Sequence, residues 1–224
     1  MFIPLLDGID IAGKDITADA LLTQCKLATY LVQRQVHYPF TVKGNQATLQ
    51  TDIALLFQGR KAPGFVDVSP PDRGRIESRR IWCSVALNAH LNFPRVGQVF
   101  LIEREVLHKK GGKLTLESAL GITSRPPEQV NPQRVLATNR GRWAIENRCH
   151  YVIDWNYDED RCRICTGYGP ENMSRLRRFA VGVIQFFSDG KSCIAEKMRQ
   201  LCRNARLVFD YLRMTKNSTR PQSL

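Results

Sequence analysis

Asn139-Arg-Gly-Arg-Trp-Ala-Ile-Glu-Asn-Arg-Cys-His-Tyr-Val-Ile-Asp-Trp-Asn-Tyr-Asp-Glu-Asp-Arg-Cys-Arg-Ile-Cys-Thr166 is the stretch around which the chain is organised. The spacing predicts a helix over 132–153. Within it Asn139, Arg142, Glu146 and His150 recur at steps of three, four and four and so share one polar stripe. Leu136, Trp143, Ile145, Cys149 and Val152 fall mostly off that stripe and are expected to be buried. An arginine one turn before a carboxylate is an ordinary helix pair, worth only a few tenths of a kcal/mol. The density of chemistry is less ordinary: two Trp, two Tyr, one His, three Asp and two Glu fall within 143–160.

Working outward, Ile16-Thr-Ala-Asp19 reads as a short strand ending on an acid. A helix follows, with Leu21, Cys25, Ala28 and Val32 on one face. His37–Lys43 reads as a second strand, Gly44-Asn45 as a turn, and Leu49, Ile53 and Leu56 as the inner face of another helix. Strand, helix, strand, helix is the order of a parallel α/β sheet, in which reactive groups gather beyond the C-terminal strand ends. Asp19 sits at such an end; its plainer role is to cap the helix after it.

From Ala62 to Ser124 the pattern changes to β-rich runs at 65–68, 75–87, 98–107 and 114–123. These are separated by Pro-Gly, Pro-Pro-Asp-Arg-Gly and the basic turn His108-Lys-Lys-Gly-Gly-Lys113. This predicts an antiparallel insertion, basic on its turns and edges through Arg73, Arg75, Arg79, Arg80, Lys109, Lys110 and Lys113. Two helices close the chain. The first, over 174–187, has Arg175, Arg177 and Arg178 in its opening turn. That is the wrong end for the helix dipole and suits a phosphate. The second, over 191–214, is predicted to be continuous, with Ile194, Met198, Leu201, Ala205, Val208 and Leu212 as its packing stripe.

The 224 residues carry 33 Lys and Arg against 21 Asp and Glu, a net charge of +12, which points to a polyanion such as nucleic acid. No apolar run approaches the ~20 residues of a membrane span, and the N-terminus has no signal-peptide shape. Seven cysteines, an odd number scattered through helical and strand patterns, suggest reduced thiols in a cytosol. Cys162-x-x-Cys165, near Cys149 and His150, has no second cysteine pair at finger spacing, which makes a zinc site the lesser reading. Asp154, Asp158, Glu159 and Asp160 read as a solvated acidic loop.

Several motifs, in order, resemble bacterial DDE transposases, in particular the H-repeat-associated insertion-sequence group. They are Arg142-Trp-x-Ile-Glu-Asn147, His150-Tyr-x-x-Asp-Trp155, Asp158-Glu-Asp-Arg161, Thr17–Gln24, Val42–Gln46, Gly74–Arg79 and Gly121–Arg125. The resemblance covers nearly the whole chain. It implies an RNase H-like core with an antiparallel β insertion and C-terminal helices, divided as 1–61 core, 62–125 insertion and 126–224 helical completion. It further implies DNA cleavage and strand transfer at insertion-sequence ends by two-metal phosphoryl transfer. Mg²⁺ is the expected cofactor, with Mn²⁺ as a substitute. Asp19 and Glu146 would be the second and third catalytic, metal-binding acids, 146 − 19 = 127 residues apart. Arg142 matches the arginine of the family's extended signature. Asn139 stands where many relatives have a tyrosine, which leaves no base-stacking group there.

The first acid has no counterpart in this chain. Asp7-Gly8 is followed by Ile9 and lies only 12 residues before Asp19, too few for the strands expected between the acids. The chain is therefore expected to be the C-terminal portion of a transposase, impaired in catalysis, with a non-catalytic DNA-binding remnant as the alternative. DNA would be held through Lys43, Lys109, Lys110, Lys113, Arg142, Arg175, Arg177 and Arg178. A homo-oligomer when active, no membrane partner and a cytoplasmic, nucleoid-associated location complete the expectation.

Overall fold

Strand β4 (Gln98–His108) begins with six consecutive buried residues, the pattern of a strand covered on both faces. A computed structural model describes residues 3–72, 74–143, 150–187 and 192–215. Glu146, Ile145, Cys149, Arg73 and Lys191 lie outside them. The chain divides into two compact units, 1–142 and 143–224.

In the first unit, β1 (Pro39–Val42), β2 (Phe65–Asp72), β3 (Arg75–Ser84), β4 and β5 (Leu114–Thr123) form one antiparallel sheet in the order β1-β5-β4-β3-β2. The segment before β1 runs parallel to it through bridges Asp15 to His37 and Ala18 to Phe40. The predicted parallel pairing is thus present, but as two isolated bridges. The β-rich run continues the same sheet as β1, because β5 pairs with β1 from Pro39–Thr123 to Val42–Leu120.

Alternate residues of the sheet face opposite layers. On one face Val99, Leu101, Ile122, Phe40 and Trp82 pack with Leu27, Ala28 and Leu31 of α2 (Cys25–Gln33) and with Leu49 and Ile53 of α3 (Ala47–Leu56). On the other, Ile81, Phe100 and Ile102 pack with Val130 and with Val135 and Leu136 of α4 (Pro132–Gly141). Each such apolar side chain, fully buried, contributes about 1.5–3 kcal/mol. Short helix α1 (Ile3–Asp7) adds Leu6 to the first layer.

Three expectations are corrected, two in this unit and one at Trp143, the first residue of the second. The inner face of α2 is Leu27, Ala28 and Leu31, whereas Leu21 is 72% exposed and Cys25 is exposed. The reason is that Ala20–Leu22 forms a separate 3-10 turn, so the helix starts at Cys25 in a different phase. Pro70 and Pro71 do not end a strand; they lie inside β2 at a register shift between Ser69 and Asp72. An edge strand accommodates prolines that a central strand rejects. Trp143, expected to be buried, is 51% exposed.

In the second unit, Val152 and Ile153 of a π-helical turn (Val152–Asn156) pack with Val181 of α5 (Gly169–Phe186). Helix α5 opens at Gly169-Pro170-Glu171, five residues earlier than expected. Its first turn therefore carries the acid Glu171, which complements the dipole, and Arg175, Arg177 and Arg178 lie further in. The last predicted helix is two: α6 (Ile194–Arg203) and α7 (Ala205–Tyr211). Asn204 breaks the run and caps α7, its side-chain oxygen accepting from Leu207 N. Met198, Leu201, Val208 and Leu212 still line one apolar cavity of about 300 Å³ with Phe179, Val183 and Tyr211. No helix among the described residues is long and apolar enough to cross a membrane.

Candidate functional site

Ala18 and Ala20 are buried, 6% and 4% exposed, and the residue between them, Asp19, turns its side chain outward with 57% exposure. The bridge from Ala18 to Phe40 fixes the backbone just before the acid. Asp19 keeps extended geometry and caps the 3-10 turn, its Oδ1 accepting from Ala20 N at 2.8 Å. The plain capping role is therefore real, and it uses one carboxylate oxygen. Among the described residues no hydrogen-bond donor reaches Oδ2.

The turn after Asp19 is clamped to the end of β1. Thr23, fully buried, donates its hydroxyl to the Thr41 carbonyl at 2.8 Å. Asn45 Nδ2 donates to Ala20 O at 2.7 Å, and Gln46 Nε2 to Thr23 O at 3.0 Å. Gly44-Asn45-Gln46 is the 3-10 turn directly after β1, so both parallel segments terminate at this one edge.

Helix α4 delivers the third component. Asn131 caps it by accepting from Arg134 N at 2.9 Å, with Pro132 in the first turn. Val135 packs on the sheet, and Asn139 and Arg142, four and seven residues on, continue the same face to the sheet's end. Asn139 Nδ2 lies 3.4 Å from Thr41 Oγ1. Arg142 Nη1 lies 3.6 Å from Asp19 Oδ1, with its own side chain 20% exposed. The structure thus brings together Asp19, Arg142 and Asn139. Glu146 lies outside the described residues. Thr23, Asn45 and Gln46 were not singled out from the sequence; their tethers join positions about 20 residues apart, and no local pattern marks them.

The family is decided by one direct match. Residues 1–176 match the Transposase DDE domain. The chain belongs to that family. The family implies an RNase H-like fold, and the first unit is mixed α/β with a five-stranded antiparallel sheet. Two relatives from Escherichia coli (strain K12), "Putative protein YbfL" and "H repeat-associated putative transposase YhhI", are each 26% identical over 211 residues, covering 88% of this chain and 54% of their own. "Putative transposase YncI" of Escherichia coli O157:H7 is 24% identical over 219 residues, covering 93% of this chain and 55% of its own. The resemblance to H-repeat-associated transposases is therefore upheld. The chain spans about half the length of the curated relatives it matches.

The family implies a divalent metal, and the chemistry at Asp19 fits one. An exposed carboxylate with one oxygen open is the hard-oxygen ligand that Mg²⁺ prefers. Among the described residues no three His, Cys, Asp or Glu side chains group together to hold a metal. The six described cysteines are free thiols.

The basic residues expected to hold DNA fall into two groups. Lys43, Lys109, Lys110, Lys113 and Arg178 are exposed and make no salt bridge among the described residues. Lys109, Lys110 and Lys113 sit on the β4–β5 turn, where Gly111 and Gly112 take positive φ of 94° and 62°. Lys109 N donates to Gly74 O, which joins this turn to the β2–β3 turn and to exposed Arg75. The other group is engaged within the protein. Arg175 pairs with Glu171, and Arg177 lies 3.9 Å from Glu159. Arg79 and Arg104 share Glu77, and Arg80 reaches Glu105 at 2.8 Å, so much of the positive charge of β3 and β4 is balanced across the strands.

Proposed function

We propose that this chain carries the second and third acids of a DDE transposase site, Asp19 and Glu146, and acts on the DNA ends of an insertion sequence. The observation that carries this reading is the Arg142–Asp19 pair. Arg142 stands one helical turn before Glu146 in sequence, and it reaches the carboxylate of the acid 123 residues earlier (142 − 19). In this proposal Asp19 and Glu146 hold Mg²⁺, or Mn²⁺ in its place. A metal held by these residues would supply Lewis-acid polarisation of the phosphoryl group and a more acidic bound water. Arg142 orients the Asp19 carboxylate and contacts a phosphate. DNA lies along Lys43 and the basic turn of Lys109, Lys110 and Lys113, with Arg175, Arg177 and Arg178 of α5 as further phosphate contacts. Arg177 must exchange Glu159 for phosphate to take part. The active form is a homo-oligomer that pairs two ends. The partition into a core (1–61), a β insertion (62–125) and a helical completion (126–224) belongs to the same proposal, as does a cytoplasmic, nucleoid-associated location.

A second reading, DNA binding without catalysis by this chain alone, is favoured by the three earlier aspartates. Asp15 pairs with Arg125 at 2.7 Å. Asp7 accepts from Tyr30 Oη at 2.7 Å, and Asp10 accepts from Ala12 N. Among the described residues none of them contacts Asp19, so none is proposed as the first acid.

One experiment tests both. The purified chain is incubated with a duplex carrying insertion-sequence ends, with and without Mg²⁺, and binding and cleavage are read together. Binding that weakens steeply between low and moderate salt supports the DNA-acting reading; affinity indifferent to salt overturns it. Mg²⁺-dependent cleavage abolished by Glu146→Gln establishes catalysis by the chain alone, and binding without cleavage establishes the second reading.

A further inference from the structure

In the second unit, a cleft of about 410 Å³ lies between the π-helical turn and α6, lined by Trp155, Asn156, Ala195, Met198, Arg199, Cys202 and Arg203. Trp155 is 72% exposed and Tyr151, one turn earlier, 56%. Their rings are nearly parallel, 10° apart, with centroids separated by 6.3 Å, so the two stack, and of the two it is Trp155 that lines the cleft. Arg199 and Arg203 are four residues apart on α6 and therefore share a face. Both are exposed, and neither makes a salt bridge among the described residues. An indole exposed to this extent is costly in water, and two guanidinium groups beside it select an anion.

We infer that this cleft binds an unpaired nucleotide, its base stacked on Trp155 and its phosphate held by Arg199 and Arg203. A ligand with both a flat π face and a negative charge matches Trp155 and both arginines; an acidic peptide uses only the arginines. A base inside a duplex keeps its faces covered by its neighbours, so the indole can take only a base outside the stack. The volume falls within the range of about 300–1,000 Å³ that holds small ligands. The polar side chain of Asn156 at the cleft wall supplies a hydrogen-bonding group for the base edge. The inference rests on the reading of the chain as a DNA-acting protein, and it assigns single-stranded nucleic acid to a place that reading leaves unused.

The test compares the full chain with Trp155→Leu, Trp155→Phe and the double variant R199Q/R203Q, measuring fluorescence anisotropy with a short oligothymidylate and with a duplex of the same length. Trp155→Leu is expected to weaken oligothymidylate binding about tenfold while duplex affinity stays within about twofold, because stacking on one base is worth ~1–3 kcal/mol. Trp155→Phe restores most of the loss, and R199Q/R203Q flattens the salt dependence of oligothymidylate binding. Because Trp155 is largely exposed, its substitution leaves the fold in place. Equal affinity of wild type and Trp155→Leu for oligothymidylate overturns the inference while intact duplex binding leaves the transposase reading standing. Absence of binding to either DNA overturns both. Displacement of oligothymidylate by polyglutamate as effectively from wild type as from Trp155→Leu identifies a plain cation patch and overturns the stacking site.

Discussion

The guanidinium of Arg142 stands 3.6 Å from the carboxylate of Asp19, across 123 residues of sequence (142 − 19). The contact closes the edge of the sheet where the parallel segment, β1 and the end of α4 meet. Its two partners play unequal structural parts. Asp19 is mostly exposed and supplies only a local cap, whereas the Thr23 tether behind it is fully buried.

That inequality can be read in stability. Asp19→Asn keeps the capping oxygen and is expected to change unfolding free energy by no more than about 0.5 kcal/mol, as surface substitutions usually do. Thr23→Val removes a hydroxyl buried beneath the site and leaves the Thr41 carbonyl without it, at a cost of about 1–2 kcal/mol. Urea denaturation of both variants checks the contrast. Equal losses would place Asp19 in the scaffold.

Gly121 is held by packing. It lies in β5 opposite Thr41 and Phe100, and an added Cβ would stand 2.6 Å from the Phe40 carbonyl oxygen and closer still to the Phe100 ring. Phe100 is fully buried and cannot withdraw. Gly121→Ala is expected to destabilise by about 1–3 kcal/mol or more through overpacking. Gly74→Ala, with open space around it but φ of +74°, is strained through the backbone instead. Thermal melts of the two variants compare the two mechanisms, with Gly121→Ala losing more.

The thiols differ in reactivity. Burial pushes Cys83 up to about 12, so it holds almost no thiolate at neutral pH. Cys25, Cys165, Cys193 and Cys202 are exposed. Iodoacetamide at pH 8 followed by peptide mapping is expected to modify these four and to spare Cys83 until denaturant is added. Rapid labelling of Cys83 in the native chain would contradict its burial in the sheet.

His37 gives stability a pH dependence. Burial, then the Arg125 charge, lowers its pKa below 6.5, with Asp15 opposing and Arg95 adding to the effect; its Nδ1 lies 3.2 Å from Ser124 Oγ. The unfolded chain therefore takes up this proton first as pH falls. Stability from His37 is complete above 6.5 and is lost as pH falls toward the folded value. Melting temperatures recorded from neutral pH down to pH 5 should fall for the wild type, and fall less for His37→Asn. Parallel curves for the two proteins would remove His37 from the account.

Much of this architecture was legible in the residues. Alternation and turn chemistry located β4 and β5 almost to the residue, because a strand covered on both faces and a Gly-Gly hairpin leave strong local marks. The helix start at Pro132 was equally plain, although α4 ends at Gly141, short of the predicted 153. Local patterns failed where a short-range polar group outweighed periodicity. Asn204 split one predicted helix, Gly169-Pro170-Glu171 moved another's start and so put an acid in its first turn, and the 3-10 turn after Asp19 rotated the buried face of α2.

By itself the sequence determined the family, the order of the motifs, the excess of positive charge and the identity of Asp19, Arg142 and Glu146 as the residues to watch, because each of these is carried by local residue type and spacing. Only the tertiary structure decided that Arg142 meets Asp19, that Thr23, Asn45 and Gln46 tie the acid's turn to β1, and that Arg79, Arg80 and Arg177 are already paired within the protein while Lys109, Lys110 and Lys113 are not. These are contacts between distant positions. Their free energy depends on which surfaces burial of the core brings together, and a linear pattern does not contain that information.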